Sequence, residues 1–175
     1  MTDRLKLVFP AKEYEAQVWA MREAFFENGD GFDGCCGLGN VHSYDEWLDF
    51  EGRLKKLGWC QSTVRLAMRI SDGKIVGIID LRHELNDFLL KYGGNIGYSV
   101  LPSERGNGYA REMLSLMLKE ARAIGLGRVL VCCDKENPAS AKTIIRCGGI
   151  LENEVADEAG LCKDGDIIQR YWIEL

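Results

Sequence analysis

The chain has no apolar run long enough to cross a bilayer. Its opening, Met1-Thr2-Asp3-Arg4-Leu5-Lys6-Leu7-Val8-Phe9-Pro10, alternates in polarity where an export signal would place a continuous apolar segment. A cytoplasmic protein with no membrane partner is expected. Only 3 prolines and no low-complexity stretch occur in 175 residues, which excludes long disordered tails. Histidine is scarcer still: with only His42 and His83, and no Cys-x-x-Cys, the usual zinc spacings cannot be assembled, and no metal is expected. A basic excess is missing as well. The formal net charge is −5, whereas a nucleic-acid partner needs clustered Lys and Arg. An acidic surface of this kind would instead attract a cationic amine. The 7 cysteines are odd in number and include the adjacent pairs Cys35-Cys36 and Cys132-Cys133, a distribution that fits a reducing compartment and offers no disulfide framework.

What is present is an ordinary globular composition, 46% hydrophobic and 28% charged, enough for one α/β domain over residues 1–175. Residues 4–9 alternate as a first strand. Tyr14, Val18, Met21 and Phe25 recur at helical spacing, predicting an amphipathic helix over roughly residues 11–28. Gly29 to Asn40, with five glycines, is a loop. Ser43 followed by Glu46 is a capping-box signature for a second helix carrying Trp47, Leu48, Leu54 and Leu57 on one face and ending at Gly58. Val64 to Ile70 and Lys74 to Arg82 flank Asp72-Gly73 as a hairpin. After an irregular or helical stretch over 83–92, a strand is expected over 95–101, a helix from Tyr109, a buried strand over 129–133, a helix opened by Asn137-Pro138, and a final antiparallel hairpin over 150–155 and 166–174.

The segment Val100-Leu101-Pro102-Ser103-Glu104-Arg105-Gly106-Asn107-Gly108-Tyr109-Ala110 joins a strand directly to a helix. With Gly106 and Gly108 removing side-chain bulk, consecutive N–H groups at the helix start can converge on a phosphate oxygen, and Arg105 adds a positive charge. A Gly-x-Gly at such a junction also serves plain turns. Neither the Walker spacing nor the dinucleotide-binding Gly-x-Gly-x-x-Gly is present here.

Arg105-x-x-Gly108-x-Ala110 resembles the (Gln/Arg)-x-x-Gly-x-(Gly/Ala) signature of the GNAT acetyltransferases. Val100-x-Pro102 before it, Asn137-x-x-Ser140 opening the next helix, and Gly148 fall where that family has counterparts. Arg82-His83-x-Leu85-Asn86 and Gly93-Gly94-x-Ile96-Gly97-Tyr98 resemble a bacterial subgroup of unassigned substrate. The resemblance implies a mixed, mostly antiparallel sheet of about seven strands, splayed between strands 4 and 5 and flanked by about four helices. It implies an acetyl-CoA-dependent transferase acting on an amine. The pyrophosphate would rest on the N–H groups of Arg105, Gly106, Asn107, Gly108, Tyr109 and Ala110. The pantetheine arm would lie along Tyr98, Ser99 and Val100, with the Val100 N–H facing the thioester carbonyl. Asn137 and Ser140 would reach the cosubstrate from the next helix, and Asn137 would also serve as an N-cap.

The acceptor must lose a proton, so a base is required near the thioester. His83, Glu84 and Asp87 after the third strand, Tyr98, and Glu104 are the candidates. His83 ranks first because its unperturbed pKa of about 6.5 suits the task, although a histidine closing a strand end has a structural use too. Many family members carry a tyrosine seven residues after the helix-opening asparagine, where this chain has Ile144. Tyr98, a water, or no acid at all would then serve the departing thiolate. Cys132 and Cys133 alternate across a strand, so at least one is core, and a covalent role for either competes with simple packing. The loop and helices over 29–57, with Trp47, Trp59, Phe32 and Tyr44 as candidate walls, are expected to shape the acceptor pocket. A second reading, from the missing tyrosine, is a silent acyl-CoA-binding domain. The expected assembly is a monomer or weak homodimer.

Overall fold

The computed structural model of the chain describes residues 4–56, 58–162 and 166–175, so the predicted place of Leu57 on the second helical face lies outside them. Strands β1 (Leu5–Val8), β2 (Ser62–Arg69), β3 (Ile75–Arg82) and β4 (Ile96–Val100) form an antiparallel sheet in chain order. Strands β5 (Arg128–Asp134), β6 (Ile150–Ala156) and β7 (Ile167–Glu174) form a second antiparallel sheet, with β7 between the other two. The helices are α1 (Glu15–Glu27), α2 (Tyr44–Leu48), α3 (Phe50–Lys56), α4 (Tyr109–Ala123) and α5 (Pro138–Arg146). None of the described helices is long and apolar enough to cross a membrane.

The helix predicted over 43–58 is two helices, because the chain leaves helical geometry at Asp49 (φ −80°, ψ 37°). Its start behaves as the capping box requires on one arm only. Ser43 Oγ accepts the Glu46 N–H at 3.1 Å, while Glu46 Oε2 accepts the N–H of His42, one residue upstream, at 2.8 Å. This break raises the helix count above the expected four.

β3 explains the layering. Val76, Ile79 and Leu81 pack on one side against Met113, Leu114 and Met117 of α4, while Ile75 and Ile78 pack on the other with Val18, Met21 and Phe25 of α1. A strand covered on both faces reads as a nearly continuous apolar run. Each fully buried side chain of this kind contributes about 1.5–3 kcal/mol. Within that run Asp80 is the one charged residue before Arg82, and it is 3% exposed.

Among the described residues one isolated bridge, Gly94 to Val131, links the two sheets. It is tightened by Asn95, whose N–H donates to Leu130 O at 2.7 Å and whose Oδ1 accepts the Leu130 N–H at 2.8 Å. Beyond that clamp no described ladder pair joins β4 to β5, so the strands diverge as the family resemblance implies. The crossover from β4 through α4 to β5 thereby holds a gap open along one edge of β4, beside the start of α4.

Candidate functional site

The turn before α4 holds Gly106 and Gly108 at φ +79°, a left-handed conformation that a side chain would strain. Among the described residues, the N–H groups of Gly106 through Arg111 have no hydrogen-bond acceptor, and the first capping bond begins at Glu112 N–H, which donates to Gly108 O at 3.3 Å. Gly106, Asn107 and Gly108 are exposed. A Cβ at Gly106 would meet nothing within 4 Å. A run of unpaired donors at the positive end of a fifteen-residue helix is therefore open on its outer side. The turn is braced from behind: Arg4 Nη1 donates to Asn107 O at 3.1 Å, and Glu104 is gripped by Lys74 at 2.6 Å and Arg69 at 2.8 Å. Those two cations, Lys74 foremost, hold the Glu104 carboxyl below its ordinary range.

Along β4 the ladder decides which groups face the gap. Leu101 N–H donates to Val76 O at 2.9 Å. The alternation of an antiparallel pair then turns the N–H groups of Val100 and Tyr98 away from β3. Val100 O, on that same open edge, accepts from Arg105 Nε at 3.2 Å. Tyr98 reaches across to α5, its hydroxyl 2.8 Å from Ser140 Oγ, and burial raises its pKa, so it stays protonated at neutral pH. Asn137 spends Oδ1 on the Ser140 N–H at 3.1 Å, capping α5. Ile144 is fully buried. The structure thus brings Tyr98 to Ser140 and Arg105 to Val100, while the Arg105 N–H is taken by Pro102 O at 3.3 Å. The free N–H groups from Gly106 onward are of the kind that could hold a diphosphate.

The opposite face of β4 carries groups that spacing did not announce. Gly97 and Ser99 look toward the glycine loop after α1, where Gly34 (φ +69°) lies so close that a Cβ there would sit on the Gly97 carbonyl. Ser99 Oγ donates to Asp33 O at 2.7 Å. Asp80, paired across the ladder with Gly97, accepts the Gly97 N–H at 3.1 Å and faces Arg82 at 3.3 Å. Burial pushes the Asp80 carboxyl up against the opposing pull of Arg82. Asp33 is also raised, first by its enclosure, with Arg82 opposing and Asp80 adding. A lone acid in an apolar strand was the available signal for Asp80; nothing local marks Asp33.

His83 and Glu84 do not join this cluster. His83 Nε2 lies 2.8 Å from Thr63 Oγ1, and its N–H donates to Gln61 O at 2.9 Å. The register pairs Gly77 with Val100, so His83 lies six residues farther along β3, roughly 20 Å at the usual strand rise. Glu84 and Asp87 are exposed beyond it. The register thus sets His83, Glu84 and Asp87 apart from Val100 along β3. Glu104 is committed to its two cations. Trp47 and Tyr44, considered as pocket walls, are core: Trp47 is fully buried and its Nε1 donates to Cys35 O at 2.9 Å. Burial raises Cys132 to about 12 and Cys133 to about 11, leaving protonated thiols and no nucleophile. Among the described residues no group of three or more His, Cys, Asp or Glu could hold a metal ion.

The sequence profile of the acetyltransferase (GNAT) domain matches residues 40–150. No curated protein sequence matches the chain. Several solved structures share the fold. The microcin C7 self-immunity acetyltransferase MccE, in complex with acetyl-CoA and AMP, superposes with a TM-score of 0.70 at 18% identity, over 99% of this chain and 94% of that one. A chimera of the Vibrio cholerae spermidine N-acetyltransferase SpeG with hSSAT gives 0.69 at 14% identity, over 98% and 95%. The ribosomal-protein-S5-alanine acetyltransferase of Vibrio fischeri gives 0.71 at 14% identity, over 99% and 94%.

Proposed function

The chain belongs to the GNAT acetyltransferase family, and from that premise we propose that it moves an acetyl group from acetyl-CoA to a primary amine of a small molecule, an amino acid or a protein N-terminus. The observation that carries the reading is the row of unpaired N–H groups from Gly106 to Arg111 beside the open edge of β4. In this reading those amides bind the pyrophosphate, Arg105 turning to it from its pairing with Asp30, and Tyr98, Ser99 and Val100 guide the arm. The Val100 N–H, already turned into the gap, stabilises negative charge on the thioester oxygen. Tyr98, kept protonated and bonded to Ser140, stands in for the tyrosine that Ile144 replaces and returns a proton to the departing thiolate. The solved relatives act on acceptors as different as spermidine and a ribosomal protein's alanine, so the fold leaves the acceptor open.

Incubation with acetyl-CoA and a panel of spermidine, simple alkyl amines, amino acids and peptides with free N-termini, followed by release of free thiol, tests the proposal. Thiol release that depends on one class of amine is expected. Tight CoA binding with no release from any member would favour the silent acyl-CoA-binding domain.

A further inference from the structure

Arg105 stands across the open edge of β4. Its Nε donates to Val100 O at 3.2 Å, and the far side of the guanidinium meets Asp30, Nη2 to Oδ2 at 2.6 Å and Nη1 to Oδ1 at 3.4 Å. One side chain thus joins the turn before α4, the unpaired main-chain edge of β4 and the exit of α1.

Asp30 is fixed to receive it. Its N–H donates to Phe25 O at 2.9 Å at the end of α1, and Asn28 Nδ2 donates at 2.9 Å to the same Oδ2 that takes Arg105. The Asp30 side chain is 15% exposed, whereas that of Arg105 is 45% exposed. The cation is therefore the member free to move, since a long stem half in water changes partner at little cost. The cations behind the turn are committed: Arg4 to Glu112 and Asn107 O, Lys74 and Arg69 to Glu104.

Two demands meet at this side chain. An arm pairing along the open edge of β4 needs the main-chain groups of Val100, and the carbonyl among them is spent on Arg105. A diphosphate at the amides from Gly106 to Arg111 offers more negative charge than one carboxylate, and a planar guanidinium binds phosphate through paired N–H donors. A single swing of Arg105 answers both, uncovering the edge and bringing its charge to the anion.

We propose that the Asp30–Arg105 pair is a latch across the empty cosubstrate site, opened by the diphosphate of CoA, a role that rests on the acetyl-CoA reading above. In the free protein Asp30, a positioning residue, holds Arg105 over Val100 O. As CoA binds, the guanidinium leaves Asp30 for the phosphate oxygens and Val100 O is released to the arm. The exit of α1 then loses its tie to the turn before α4. Asp30 thus opposes cosubstrate binding, the reverse of what an acid that only supports the fold would do.

The test is a calorimetric titration with CoA of the wild type, Asp30→Asn, Arg105→Ala and the double variant, each first shown to be folded by its urea midpoint. Asp30→Asn should tighten CoA binding by about two- to fivefold, the range set by releasing a partly exposed ion pair. In the Arg105→Ala background the same substitution should change nothing. In the wild type, the ¹H–¹⁵N signal of Arg105 Nε–H should shift as CoA is added, a readout that needs no variant. Unchanged or weaker binding by folded Asp30→Asn overturns the latch, and so does an Arg105 Nε–H signal that stays in place while CoA binds. Equal tightening in the Arg105→Ala background overturns it as well, because plain repulsion between Asp30 and the diphosphate then explains the effect. A wild type that does not bind CoA overturns the parent reading instead, before any variant is compared.

Discussion

The turn after β4 and the loop after α1 are both rich in glycine, and they use it differently. Gly106 and Gly108 sit at positive φ with open space or a single distant arginine where a Cβ would be, and the amides around them point outward unpaired. Gly34 sits at a similar φ, but its missing Cβ is what lets the loop lie against the backbone of β4 at Gly97. The first segment leaves donors free for an anion. The second brings carboxylates to a strand. In the proposed reading the first segment would hold the diphosphate, while the second packs the loop after α1 against β4.

Substituting the glycines separates packing from binding. Gly34→Ala should have the largest effect, about 3 kcal/mol or more of lost stability, because the backbone of Gly97 cannot retreat without breaking its pairing with β3. Gly106→Ala, strained but unobstructed, should cost only about 1–2 kcal/mol in the same urea titration. Equal losses would break the contrast. Next in size, Gly108→Glu should leave a folded protein whose CoA affinity is down at least about 100-fold by calorimetry, roughly 2.7 kcal/mol, since a carboxylate would stand where phosphate charge belongs.

Acid and base stability sharpen the contrast further. Glu104 has its pKa lowered by Lys74 and Arg69, so its contribution to stability is present above about pH 4.5 and lost as pH falls through the folded value. Asp33 and Asp80 are raised, so what they contribute is full below about pH 3.8 and lost as pH rises through their folded values. Urea midpoints measured against pH should therefore lose part of their acid-side drop in Glu104→Gln and part of their fall toward neutral pH in Asp80→Asn. The smallest effect belongs to Val100→Ala. The donor there is main chain, so kcat/KM should change by no more than about threefold.

Much of the first segment was legible because its chemistry is local. Pro102, Gly106, Gly108 and the helical spacing of Met113, Leu114 and Met117 lie within one strand-turn-helix unit, and strand, turn and helix form where those residues set them. The second segment was not, since its loop meets β4 through the approach of Gly34 to Gly97, and no spacing announces an approach between residues so far apart. His83 illustrates the converse. Its chemistry suits a base, but position along β3 is set by ladder register, which carries it to the far end of the strand and onto Thr63. Asp49 shows the same limit on a smaller scale: the periodicity around it is helical, yet the chain turns there to bury Trp47.

The claim that main-chain amides around Gly106 and Gly108 hold the diphosphate can be tested by following ¹H–¹⁵N amide shifts of the uniformly labelled protein as CoA is added. The account predicts that Gly106 to Arg111 move most, with Tyr98 to Val100 next. Amides of that turn that stay in place while CoA binds elsewhere would contradict it.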